Sequence, residues 1–174
     1  YLDSIQNRME AMTRLTEELF RYSLAADLPE LKLEPVDLRR CLEESLVSFY
    51  AAMVQRGITP EISMPEGPVV RSLDPSAASR IFGNIISNAL KYSGGDFSAA
   101  LDSRGTVVFS NSAHGLDPVS AGKLFDRFYT VETGRGSTGL GLSIARLLTE
   151  RLGGSIQASW AEGRLDITVA FPDT

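Results

Sequence analysis

Ser79-Arg80-Ile81-Phe82-Gly83-Asn84-Ile85-Ile86-Ser87-Asn88-Ala89-Leu90-Lys91-Tyr92-Ser93 is the stretch around which the rest of the chain is organised. Ile81, Phe82, Ile85, Ile86, Ala89 and Leu90 recur at helical spacing, and Ser76 after Asp74-Pro75 supplies a start signal. A narrow polar stripe runs between them. Asn84, Asn88 and Lys91 stand at i, i+4 and i+7, which puts their side chains on one face of the helix. An amide oxygen can ligate a hard divalent cation, and a lysine beside it suits a phosphate. A merely solvated helix edge would carry the same residues, so other stretches must decide between the two.

With 174 residues the chain holds one ordinary domain and room for an appendage, and 43% hydrophobic content supports a proper core. A net charge of −5 argues against nucleic acid as a partner. The single cysteine, Cys41, excludes an intrachain disulfide and falls on the apolar side of a predicted helix, where it reads as core filler. No signal peptide or membrane-spanning run is apparent. The first residue is Tyr1 and already lies in a helical pattern, so the chain is expected to be a piece of something longer.

Residues 1–26 read as one amphipathic helix. Leu2, Ile5, Met9, Met12, Thr16 and Leu19 follow a coiled-coil seam, and Leu15, Phe20 and Leu24 widen it to the stripe of a bundle helix. Two prolines mark a linker in 27–36, with a short strand over 31–36. Asp37 can cap a helix reaching about residue 56, with Leu38, Leu42, Leu46, Phe49, Tyr50 and Met53 on its buried side and Gly57 ending it. Strands are predicted over 58–64 and 69–73, then the asparagine helix, then a hairpin of 97–102 with 106–110. Residues 111–138 form a long loop broken only by a short periodic piece at 123–129, and loops of that size inside compact domains are usually functional. A helix over 142–152, closed by Gly153-Gly154, leads to a last hairpin of 155–160 with 164–171. Trp160 reads as packing rather than as a stacking platform. This order predicts one mixed sheet with helices on one face, an α/β sandwich.

Ser137-Thr138-Gly139-Leu140-Gly141-Leu142-Ser143-Ile144 is the second informative stretch. Glycines opening directly into a helix let backbone N–H groups approach an anion at the positive end of the helix dipole. The stretch lacks the Lys-Ser/Thr of a phosphate-binding Walker loop and does not follow a strand, so neither that motif nor a dinucleotide fingerprint fits.

Taken together, Asn84-x-x-x-Asn88-Ala89-x-Lys91-Tyr92-Ser93, Leu124-Phe125-Asp126-Arg127-Phe128-Tyr129 and Thr138-Gly139-Leu140-Gly141-Leu142 resemble the N, F and second glycine boxes of sensor histidine kinases. The resemblance implies the Bergerat ATP-binding fold: a two-layer α/β sandwich preceded by one long helix. It divides the chain into the second helix of a dimerisation and phosphotransfer hairpin (1–26), a linker with the first strand (27–36) and a catalytic, ATP-binding domain (37–174). By position it implies that Asn88 holds Mg²⁺, with Asn84 beside it contacting metal-bound water or phosphate. Lys91 would meet phosphate and Tyr92 would lie against the nucleotide. Phe125 and Phe128 would anchor a mobile lid, and Arg127 and Arg135 are its cations best placed to reach the terminal phosphate. Thr138, Gly139, Leu140, Gly141 and Leu142 would cradle phosphates.

The first glycine box departs from the family pattern Asp-x-Gly-x-Gly-Ile, reading Asn111-Ser112-Ala113-His114-Gly115-Leu116. The family's aspartate accepts a hydrogen bond from the adenine amine. Asn111 can still accept it but without charge assistance, a loss on the order of 1 kcal/mol. Ala113 replaces a glycine, and Ser137 stands where a glycine is common, so the resemblance implies adenine binding weaker than usual, with Gly115 and Leu116 lining the loop.

His114, the sole histidine, sits in this loop and is not the phosphoacceptor, which the family carries on a hairpin helix absent here. The implied partners are ATP, that histidine-bearing helix of the same kinase, and a response regulator receiver domain. The implied setting is a homodimer and the cytoplasmic portion of a membrane-anchored sensor. Gyrase- and chaperone-type ATPases of the same fold carry a glutamate where Asn84 stands, and an amide cannot take the proton of an attacking water. Two other readings stay open: a degenerate regulatory module that holds nucleotide without transferring phosphate, and an anti-sigma-factor-like serine kinase.

Overall fold

The computed structural model describes residues 2–26, 30–126 and 141–173. In chain order they form α1 (Leu2–Ala26), β1 (Glu34–Asp37), α2 (Leu38–Ser48), α3 (Tyr50–Gln55), β2 (Glu61–Ser63), β3 (Val70–Leu73) and α4 (Pro75–Tyr92). There follow β4 (Ser98–Leu101), β5 (Thr106–Ser112), α5 (Pro118–Gly122), α6 (Gly141–Arg151), β6 (Ser155–Ala161) and β7 (Arg164–Ala170).

Two aspartates start the principal helices. Asp37 accepts hydrogen bonds from the N–H groups of Arg39 (3.1 Å) and Val69 (3.0 Å), so one carboxylate caps α2 and ties it to the approach to β3. Asp74, rather than Ser76, caps α4: it accepts from Ala77 N at 3.0 Å and from Lys32 N at 2.9 Å, with Pro75 in the first turn. Those backbone donors, Ala77 first, hold the Asp74 carboxyl below its ordinary pKa.

The single helix expected over 37–56 is two. At Phe49 the N–H bonds back three residues to Leu46, a tighter turn that rotates α3 relative to α2, so Tyr50 is 61% exposed instead of buried while Met53 remains in the core. The strands also differ in their pairing. β1 pairs antiparallel with β3 in a separate two-stranded sheet, and the main sheet has the order β2-β4-β5-β7-β6, with β2–β4 parallel and the other pairs antiparallel. It is therefore a mixed five-stranded sheet flanked by helices, as the strand and helix order predicts, with two strands set aside. Both expected hairpins are present.

The core lies between this sheet and α2, α4 and α6. Ile81, Phe82, Ile85 and Ile86 of α4 are fully buried, Phe82 meeting Phe109 of β5 at 5.9 Å between ring centroids. Each such side chain contributes about 1.5–3 kcal/mol when removed from water. Ala145 and Leu148 of α6 are equally buried, and α4 packs along α6. Gly153 ends α6 at φ +81°, and a Cβ on Gly154 would lie 2.6 Å from the Ala170 carbonyl, so the pair turns the chain tightly into β6. Cys41 is buried filler, and burial pushes its thiol pKa up. On α1, Leu2, Ile5, Met9, Met12, Leu15 and Leu19 are all exposed.

Candidate functional site

The polar stripe of α4 meets the start of α6 at Asn84. The amide Nδ2 of Asn84 donates to the Gly141 carbonyl at 3.0 Å, joining residues 57 positions apart. One turn further along, Asn88 is half-buried, and its side chain makes no hydrogen bond among the described residues. Lys91 Nζ lies 5.9 Å from the centre of the Tyr92 ring, and burial, then the charge of Arg56, lowers its pKa from the usual lysine value. The Tyr92 hydroxyl is buried with no partner among the described residues. A polar stripe on an apolar helix that carries unspent amide and hydroxyl groups is the pattern of a site, since buried polar atoms are otherwise paired.

Asn111 stands on the sheet face whose Phe109 meets Phe82 of α4. β5 alternates strictly, with Val107, Phe109 and Asn111 on its buried parity, so an amide occupies the position where the strand's next core side chain would stand. Only 2% of Asn111 is exposed; its Nδ2 donates to the Ser112 carbonyl at 2.9 Å, and Oδ1 is left as an acceptor. The substitution Ala113 is accommodated without a left-handed backbone, since Glu162 alone among the described non-glycine residues has positive φ. Ala113 N–H donates to the Gly163 carbonyl at 2.7 Å, and its carbonyl accepts from Trp160 Nε1 at 2.8 Å, which makes Trp160 a support for this loop. His114 is exposed and lies over Gly163, where a Cβ would meet its Nδ1 at 2.6 Å. Gly115 is exposed and Leu116 packs on the core. Phe125 and Leu142 are buried. Arg127, Phe128, Arg135, Thr138, Gly139 and Leu140 lie outside the described residues.

Sequence reasoning overlooked several residues around these. Arg56 donates to the Leu90 carbonyl, capping the C-terminal end of α4, and with Lys91 it lines a cleft of about 630 Å³. Asp96 pairs with Arg164, 68 positions away, at 2.7 Å. No local pattern announces either contact, because both are made between elements distant in the chain. A short helix, α5, also interrupts the long loop, capped by Asp117, which accepts from Ser120 N at 2.7 Å. The Asp117-Pro118 pair is a start signal that the weak periodicity there concealed.

Comparison with known proteins identifies the family and the fold. Residues 73–174 match the family described as Histidine kinase-, DNA gyrase B-, and HSP90-like ATPase. The chain is 31% identical to the signal transduction histidine-protein kinase BaeS of Escherichia coli over 180 residues, covering 97% of this chain and 38% of that protein. It is 28% identical to the sensor protein kinase WalK of Staphylococcus epidermidis, covering 94% of this chain and 28% of that protein. It therefore spans well under half the length of these two relatives. Among solved structures, the Acinetobacter baumannii histidine kinase AdeS superposes with a TM-score of 0.71 at 24% identity, covering 98% of this chain and 83% of that one, a likeness of fold.

Proposed function

This chain belongs to the family of histidine kinase-, DNA gyrase B- and HSP90-like ATPases, and we propose that it is the ATP-binding catalytic part of a sensor histidine kinase, moving the γ-phosphoryl group of ATP to a histidine on a helix outside this sequence. The observation that carries this reading is the hydrogen bond from Asn84, the first residue of the Asn84, Asn88, Lys91 stripe, to the Gly141 carbonyl at the start of α6. An amide at position 84 favours transfer over hydrolysis, because it cannot accept a proton from water.

In this reading Asn111 Oδ1 accepts from the adenine amine, and Tyr92 lies against the nucleotide, its buried hydroxyl finding a partner there. Lys91 meets phosphate, which returns its pKa toward the ordinary lysine value. The backbone of 138–142 cradles phosphates, with Arg127 and Arg135 reaching the terminal one from the lid that Phe125 and Phe128 anchor. The unspent amide of Asn88 fits Mg²⁺, a hard cation that takes oxygen donors. No cluster of three His, Cys, Asp or Glu side chains exists among the described residues, so phosphate oxygens and waters would complete the ion's shell. Bound there, the ion would neutralise phosphate charge. Phosphoryl transfer asks the protein mainly for alignment and charge stabilisation, the role this reading assigns to these groups.

The acceptor is a neutral imidazole brought by the missing helix, whose docking face is the exposed stripe Leu2, Ile5, Met9, Met12, Leu15 and Leu19 of α1. Residues 1–26, 27–36 and 37–174 then divide as hairpin helix, linker and catalytic domain. A homodimer, a response regulator aspartate as final acceptor, and a cytoplasmic position in a membrane-anchored parent complete the proposal. No described helix is itself long and apolar enough to cross a membrane.

The test supplies the histidine-bearing helix in trans with labelled ATP and magnesium. Label appearing on the histidine is expected. ATP binding without transfer would return the chain to a nucleotide-holding regulatory module.

A further inference from the structure

Ser112, the last residue of β5, is held on every polar group. Its N–H donates to Asp96 Oδ1 at 2.7 Å. Its hydroxyl oxygen accepts from Gly94 N at 3.0 Å, and its carbonyl accepts from Gly94 N at 3.3 Å and from Asn111 Nδ2 at 2.9 Å. The approach to Gly94 is close enough that a Cβ there would lie 2.7 Å from the Ser112 hydroxyl oxygen. Asp96 is fixed in turn: its Oδ2 accepts from Arg164 Nη1 at 2.7 Å, while Arg164 Nη2 donates to Ser110 Oγ at 3.0 Å. Arg164 stands directly opposite Ser112 in the β5–β7 ladder, so the ion pair reaches from the turn after α4 across to the far strand.

The chemistry of position 111 gives this network a purpose. A carboxylate there would present an acceptor whichever way it turned. An amide presents an acceptor in one orientation and a donor in the other, and its selectivity for a ligand reverses between them. The Ser112 carbonyl can only accept, so it binds the Nδ2 edge and leaves Oδ1 as the acceptor. An acceptor at this edge matches a 6-amino purine, whereas a 6-oxo purine would oppose oxygen to oxygen in a buried place.

We propose that the Asp96–Arg164 pair is a positioning device that, by clamping Ser112, holds the Asn111 amide with its oxygen toward the ligand and so sets preference for a 6-amino over a 6-oxo purine nucleotide. Burial works against the Asp96 charge, but hydrogen bonds from Ser112 and the Arg164 guanidinium outweigh it and keep the carboxyl well below the ordinary aspartate range, so the clamp stays charged at neutral pH. The inference rests on the proposed nucleotide binding at this site.

The experiment measures magnesium-dependent binding of ATP and of inosine triphosphate to the 174-residue chain, and to its Asp96→Ala and Arg164→Gln variants. The wild type should prefer ATP. Each variant should narrow that preference by about tenfold, by weakening ATP and not inosine triphosphate, and Arg164→Lys should restore part of it. A purely structural role would weaken both nucleotides alike. Arg164 is half-exposed at the edge of the network, so Arg164→Gln carries the test if Asp96→Ala does not fold. An unchanged preference in a folded variant, equal loss for both nucleotides, or no preference in the wild type overturns the positioning role while leaving ATP binding intact. Absence of any nucleotide binding by the wild type overturns the underlying reading and this proposal with it.

Discussion

Asn84 Nδ2 donates to the carbonyl of Gly141 at 3.0 Å, so the helix carrying the amide stripe and the helix that follows the glycine turn are joined at the site itself. Asn84→Ala should cost about 1 kcal/mol of stability, the worth of one part-buried hydrogen bond. Asn84→Asp should cost more, because a carboxylate has no proton to donate and would face a carbonyl oxygen. Chemical denaturation of both variants checks the order.

Leu148 has no exposed surface and belongs to α6, which packs against α4. Leu148→Ala should lower the unfolding free energy by about 2–5 kcal/mol. Because α6 also carries Gly141, nucleotide affinity should fall with it. Calorimetric unfolding with and without ATP measures both, and a variant that lost stability at unchanged affinity would separate the site from this packing.

Much of this was legible in the sequence, for physical reasons that differ by element. The apolar spacing of Ile81 to Leu90 announced α4 because a helix of that length buries one regular face. The two hairpins were legible because alternation and turn residues coincide at Gly105 and Gly163, both at positive φ. The separation of β1 and β3 from the main sheet was not, since strand order depends on packing and not on local pattern. Nor did spacing show that Phe49 tightens its helix and turns Tyr50 outward. Asn111 stood out against a family pattern, yet its amide orientation needed Ser112, Asp96 and Arg164, whose contacts join distant parts of the chain.

Asp37 serves α2 and Val69 together, so its loss should exceed that of an ordinary cap. Asp37→Ala should cost about 2 kcal/mol, and Asp37→Asn, which keeps an acceptor oxygen, should recover most of it. Thermal unfolding distinguishes the two.

The pH dependence follows from Asp96, whose folded-state pKa lies below its unfolded value of about 3.9. Its contribution to stability is therefore fully present above that value and is lost as pH falls through the lower, folded one. The stability gap between wild type and Asp96→Asn should be constant near neutrality and shrink only below about pH 4. A gap that instead closed between about pH 5 and 7 would mean the carboxylate is not held as described.

The central claim is that the Asn88 amide oxygen serves a magnesium-bound nucleotide, and titration of ATP against wild type and Asn88→Ala, with magnesium and with chelator, tests it most directly. With Asn88 half-buried and unbonded among the described residues, the variant should fold normally. Its ATP affinity in magnesium should drop by at least about tenfold, to near the chelator value. A folded Asn88→Ala chain that binds ATP in magnesium as tightly as the wild type would contradict the account.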